Sequence, residues 1–185
     1  MRIRFAALSL FTCLLGLVLA QKQKPANGFQ RDFLLSLNDA ETKTISLAKA
    51  MPAEKYSWRP GKGVRSVSEV YVHIANGNRL LLAVRHGMLA RDAFMKMVQD
   101  NEQREKTLSD KAKVVADLEG SFKAVHSALE AVGAEALSKP IKFFGEDATP
   151  KAAYMSILEH VSEHLGQSIA YARMNGIVPP WSRSE

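Results

Sequence analysis

A continuous helical pattern over residues 149–176 constrains the fold of this chain more than any other feature. Thr149 and Pro150 suit the start of a helix, and the pair Asn175 and Gly176 suits its end. Between these signals apolar residues recur every three or four positions, at Ala153, Ile157, Val161, Leu165, Ile169 and Ala172. The spacing predicts a long amphipathic helix that must bury one face against other elements.

Two histidines, His160 and His164, stand four residues apart in this predicted helix. Residues at this spacing project side by side, and on a helical wheel the pair lies at the edge of the apolar stripe. Two imidazoles directed at the rim of a core favour a shared metal ion. Because histidine pairs at this spacing also arise by chance, the interpretation depends on a further ligand from another helix.

The apolar periodicity indicates three more long helices, in residues 28–50, 66–86 and 108–132. Ser66 and Glu69 form a capping box that starts the second of them. Residues 88–103 are also amphipathic, while residues 133–148 read as a linker whose aromatic side chains lie on the core. The length and apolar content suit one domain with a real core. We therefore predict an all-α domain over residues 28–185, an antiparallel four-helix bundle.

The first 20 residues have the pattern of a cleavable signal peptide. Arg2 and Arg4 precede an apolar run that ends in small residues before Gln21, and this run is too short to suit a membrane span. Residues 21–27 read as a polar linker. We expect an exported protein, periplasmic or secreted, without stable membrane insertion after cleavage. An uncleaved N-terminal anchor is the less favoured alternative.

Composition narrows the partners and the ligand chemistry. The net charge of +6 comes from scattered basic residues without a nucleic-acid-reading motif, which argues against a nucleic-acid partner. The single cysteine, Cys13, lies inside the predicted signal peptide. The mature chain would therefore contain no disulfide and no cysteine ligand.

His73 is the other histidine predicted to lie in mid-helix among core residues, with Gly77 one turn further on. The small residue leaves room for another group to approach, and facing helices of a bundle often share such sites. A set of His73, His160 and His164 would leave coordination positions open, as in catalytic sites. Imidazoles suit zinc or nickel best here, and iron, copper or manganese are alternatives. His126 is expected to face solvent or the edge of its apolar stripe and is not included.

The segment from His160 to His164 also matches the H-x-x-E-H pattern of inverzincin proteases, with Glu163 as the general base. Those enzymes need a further acidic ligand well downstream. In this sequence Glu185 is the only acidic residue after His164. The protease interpretation is therefore rejected. Glu163 is expected to be solvated or paired in a salt bridge.

Three stretches carry a family resemblance: WRPGKGVRSVSEVYVHIANGNRLLL around His73, EHVSEHLGQSIAYARMNG around the histidine pair, and the closing IVPPWS. From about residue 29 to residue 182 the chain resembles the DinB-like (YfiT-like) metal-binding four-helix bundles. The resemblance implies a divalent metal held by His73, His160 and His164, and a homodimer. Some members of that family are metal-dependent transferases or isomerases that use low-molecular-weight thiols.

Two classes of function remain open at this point. The first is a metal-dependent enzyme, either a hydrolase in which the metal activates water or a thiol transferase, acting on an unknown small-molecule substrate. The second is a non-catalytic metal- or ligand-binding bundle with a structural or stress-related role. The sequence identifies the ligands that both classes would use and does not choose between the classes.

Overall fold

Five helices dominate the computed structural model, which describes residues 28–183 of the chain. They are α1 (Gly28–Ala50), α2 (Val67–Ala83), α3 (Arg91–Thr107), α4 (Lys111–Ala131) and α5 (Pro150–Met174). The predicted signal peptide and linker, residues 1–27, lie outside the described residues. Among the described helices, none is long and apolar enough to cross a bilayer.

The core lies between α1, α2, α4 and α5, and α1 and α2 each contact both α4 and α5. The helices place their apolar stripes where the spacing predicts. On α4 these are Val114, Leu118, Phe122, Val125 and Leu129, all fully buried. On α5, Ile157 and Val161 are fully buried and Leu165 nearly so. This mostly helical architecture confirms the all-α class.

Local signals explain where the helices that carry the histidines begin. Ser66 accepts a hydrogen bond from the Glu69 amide, and the Glu69 carboxylate accepts one from the Ser66 amide, so the predicted capping box is confirmed. α5 begins at Pro150, whose missing N–H costs nothing there. The end of α2 differs from the prediction, because the helix stops at Ala83 and not at residue 86.

α3 is a fifth helix beyond the four long helices predicted from the sequence. It overlaps the amphipathic segment predicted at residues 88–103 but begins at Arg91 and ends at Thr107, and none of its residues is buried. Its main packing partner is α2. α3 therefore covers one side of α2 instead of contributing to the core.

The segment predicted as a linker, residues 133–148, contains a short antiparallel hairpin. β1 (Ile141–Phe143) pairs with β2 (Glu146–Ala148) across a two-residue turn formed by Phe144 and Gly145. Both turn residues have positive φ, at 50° and 94°, as the tight turns of hairpins require. The side chain of Phe144 is exposed, and its ring lies edge-on to the ring of Phe94 in α3, with 6.1 Å between the ring centroids. The expectation that Phe144 lies on the core was therefore wrong.

Candidate metal centre

The three predicted histidines come together between α2 and α5. One ring nitrogen from each of His73, His160 and His164 lies within 4.8 Å of the corresponding atoms of the other two. The ring centroids are separated by 4.6 to 4.9 Å. All three side chains are partly buried at the edge of the core. This arrangement could hold a metal ion.

Gly77 allows α2 and α5 to approach closely enough for this cluster to form. A methyl group at Gly77 would lie 2.2 Å from Cε1 and 2.6 Å from Nδ1 of His160, far inside van der Waals contact. The His160 ring therefore occupies the space that any larger residue would fill. The sequence had indicated room beside His73, and the structure shows that the imidazole of His160 fills it.

His73 is oriented by a carboxylate from α3. Its Nδ1 lies 2.7 Å from Oε1 of Glu105, and Nε of Arg65 donates to the other oxygen at 2.8 Å. Burial raises the pKa of Glu105, but the hydrogen bonds from His73 and Arg65 outweigh it and leave the pKa below its usual range. An ionised carboxylate only accepts hydrogen bonds, so Nδ1 of His73 carries the proton. In a neutral ring Nε2 then has the free lone pair.

A second chain of hydrogen bonds fixes His164. The hydroxyl of Tyr171 donates to the backbone carbonyl of Arg65 at 3.1 Å, so it accepts from Nε2 of Gln167 at 2.9 Å. This orients the Gln167 amide with its oxygen 2.8 Å from Nδ1 of His164. The amide oxygen accepts, so Nδ1 of His164 is the protonated nitrogen. Its Nε2 is left as the lone-pair donor, as for His73.

His160 lacks such a partner. Its Nδ1 is buried and makes no hydrogen bond within the described part of the chain. Burial, with His164 and His73 nearby, lowers the pKa of His160 to about 3, so this ring is neutral at pH 7. Burial also lowers the pKa of His164. Neutral imidazoles with unused nitrogens are the form that binds divalent cations, so the residues present fit a metal.

Polar contacts hold α3 against this site. Asp117 of α4 accepts from Arg79 of α2 at 2.7 Å and from Arg104 of α3 at 2.6 Å. The Asn76 amide donates to the backbone carbonyl of Asn101 at 3.1 Å. These contacts place Glu105, one residue after Arg104, within reach of His73. The orientation of one histidine therefore depends on a helix that has no buried residue.

One opening is lined by two of the histidines, and a second opening adjoins the first. A pocket of about 290 Å³ between α2 and α3 is lined by His73 and His160 and by aliphatic side chains. A more open groove of about 610 Å³ is lined by charged residues. Arg65, Glu102 and Glu105 line both, so the openings are adjacent. A small molecule could therefore reach the histidine cluster from outside.

The other residues considered from the sequence lie apart from the cluster. Glu163 is exposed on α5, as expected. His126 contacts Glu41 of α1 at 2.6 Å and takes no part in the cluster. Sequence reasoning missed Glu105 and Gln167. The spacing of three residues from His164 could have identified Gln167, whereas nothing local connects Glu105 to His73.

Similarity to known proteins is consistent with this architecture. The sequence profile of the DinB superfamily matches residues 36–168. The structure resembles a DinB-like protein from Bacillus cereus, with a TM-score of 0.67 and 18% identity over 81% of this chain and 95% of the other. It also resembles a DinB-like protein from Bacillus subtilis, with a TM-score of 0.60 and 22% identity over 82% of this chain and 94% of the other. Identities this low show the shared fold alone. No curated protein sequence matches significantly.

The close approach at Gly77 predicts opposite effects for two glycine substitutions. Gly166→Ala, in α5 with nothing within 4 Å of the new methyl, should raise the free energy of unfolding by up to about 1 kcal/mol through helix propensity. The free energy of unfolding of Gly77→Ala should lie about 1–3 kcal/mol below that of Gly166→Ala, because His160 must move. Urea denaturation of both variants measures the difference. Equal stabilisation by the two substitutions would contradict the packing described.

Proposed function

The chain belongs to the DinB superfamily, and we propose that it binds one divalent metal ion through His73, His160 and His164. One observation carries the proposal: the three imidazoles lie together while Glu105 and Gln167 hold the Nδ1 protons of His73 and His164. Those acceptors leave each Nε2 free to donate its lone pair. Metal-binding histidines commonly donate their second nitrogen to a carboxylate or carbonyl in this way.

We propose further that the site is catalytic, a hydrolase or transferase centre for a small molecule. Structural zinc sites usually have four protein ligands, and this cluster within residues 28–183 has three donor residues. The adjoining pocket and groove give a substrate access to the same place. When bound, a divalent cation would supply Lewis acidity toward a substrate heteroatom. Zinc and nickel are the metals we favour for three imidazole ligands.

The chain's own residues have distinct roles in this proposal. Glu105 keeps His73 in one tautomer and is itself held by Arg65. Gln167 does the same for His164. His160 sits against the backbone at Gly77, which limits the directions in which its ring can turn. Together these contacts hold the three donors in position before a ligand arrives, so less ordering is needed on binding.

Three wider proposals accompany the metal site. We propose that α1, α2, α4 and α5 form an antiparallel four-helix bundle, which agrees with their mutual contacts. We propose export from the cytoplasm because residues 1–20 have the pattern of a signal peptide. We also propose a homodimer, which the family resemblance implies.

Metal content tests the site directly. The protein, purified without chelators or a histidine tag, should carry about one zinc or nickel ion per chain by plasma mass spectrometry after reconstitution. His73→Ala should lose this metal because one of three ligands is removed. His126→Ala is the matched control, because its ring is bound to Glu41 outside the cluster, and it should keep the metal. Equal metal content in both variants, or none in the unmodified protein, would contradict the proposal.

The role of Glu105 is tested by a second pair of variants. Glu105→Gln should weaken zinc affinity by about 10–100-fold, because the amide is a poorer acceptor for the His73 proton. Glu41→Gln makes the same change at the His126 pair and should leave zinc affinity unchanged. Competition with a chromogenic chelator measures both affinities. A Glu105→Gln protein that binds zinc as tightly as the unmodified protein would exclude the orienting role.

Export predicts a defined mature N-terminus. When the full chain is produced in an exporting bacterial host, cleavage after Ala20 should give a protein that begins at Gln21. Intact-mass spectrometry of the periplasmic and cytoplasmic fractions measures this. A full-length chain found only in the cytoplasm would exclude the export proposal without affecting the metal site.

A further inference from the structure

The pocket beside the histidines changes character along its length. At one end it is lined by His73, His160, Arg65 and Glu105, and one helical turn further along by Asn76, Asn101 and Glu102. At the other end the lining is aliphatic, with Leu80 and Leu81 from α2 and Val98 from α3. The change follows from the helical spacing, because Leu80 and Leu81 stand two turns from His73, and Val98 stands two turns from Glu105.

The two ends are separated by a distance that suits a small molecule. Seven residues of α-helix rise on the order of 10 Å, and both walls of the pocket span that interval. The volume of about 290 Å³ is too small for a peptide helix. Leu80, Leu81 and Val98 are only partly buried, although they face each other across this space. Covering them would remove apolar surface from water, which favours an apolar occupant.

The charges around the pocket limit where a polar part of the occupant can lie. Glu105 is already engaged by His73 and Arg65, and both of those partners lie at the histidine end. Asn76, Asn101 and Glu102 line the middle of the pocket, so Leu80, Leu81 and Val98 form the apolar part of the lining beyond them. A charged or strongly hydrated group packed against these three side chains would lose water without gaining a partner from them. The polar part of the occupant therefore belongs at the histidines.

We infer that this site takes small molecules with a lone-pair donor head group and a compact aliphatic tail, the head at the histidines and the tail against Val98. This inference rests on the proposed metal function and names the substrate class for the same site. Val98 is the specificity-determining residue, because it closes the aliphatic end from α3. Each tail carbon that enters the pocket should tighten binding until the available length is filled.

Linear alkyl hydroxamates of increasing length test the inference by calorimetry on the zinc-loaded protein. Acetohydroxamate measures binding of the head alone. From acetohydroxamate to hexanohydroxamate each added methylene should tighten binding by about fourfold, the value for a fully buried methylene. Val98→Asn should remove most of this gain by placing an amide at the aliphatic end. Met95→Asn makes a comparable change at an exposed position on the same helix and should keep the gain.

The outcomes separate this inference from the proposed function. If the protein takes up no zinc, the metal site itself is overturned. If the zinc-loaded protein does not bind acetohydroxamate, the metal site stands, and the open coordination position and this inference are overturned. If acetohydroxamate binds and chain length has no effect, the metal site stands and the aliphatic pocket is overturned. The aliphatic pocket would also be overturned if added methylenes tightened binding equally in Val98→Asn and Met95→Asn. A melting curve reports whether Val98→Asn folds. If it does not, Leu81→Asn tests the same pocket from α2.

Discussion

The candidate site depends first on the contact between α2 and α5 beside Gly77. At that point the backbone of one helix meets the imidazole of His160 at a distance that excludes any side chain. A glycine in a helix costs up to about 1 kcal/mol relative to alanine, so the sequence gives up local stability there. The approach it permits brings His73 of α2 to the two histidines of α5.

Two hydrogen-bond paths then set the chemistry of the cluster, and both reach Arg65. One path runs from His73 through Glu105 to the guanidinium of Arg65. The other runs from His164 through Gln167 and Tyr171 to the backbone carbonyl of the same residue. Arg65 directly precedes the capping box that starts α2. The start of that helix is therefore coupled to the tautomers of two of the three histidines.

Local patterns predicted much of this arrangement. Spacing within a single helix predicts three features: the start of α5, the capping box at Ser66, and the pairing of His160 with His164. Contacts between distant segments were harder to predict. Glu105 reaches His73 from a helix whose position is set by Arg104 and Asp117, and neither leaves a local signal.

The hairpin and the contents of the space beside Gly77 were also beyond local patterns. The hairpin turns at Phe144 and Gly145, and phenylalanine is not among the residues that usually mark such turns. The sequence indicated space next to His73 and could not show what fills it. His160 fills that space because core packing fixes the separation of α2 and α5. Local patterns therefore identified the donor residues, and the tertiary structure identifies the contacts that orient them.

X-ray absorption spectroscopy of the zinc-loaded protein tests the central claim most directly. Three histidine ligands predict a first shell of nitrogen or oxygen atoms at about 2.0–2.1 Å, with multiple scattering from three imidazole rings. In His160→Ala the imidazole scattering should be lost, because removing one of the three ligands releases the metal, as in His73→Ala. A zinc shell of oxygen atoms without imidazole scattering, or one unchanged by that substitution, would contradict metal binding at the cluster of His73, His160 and His164.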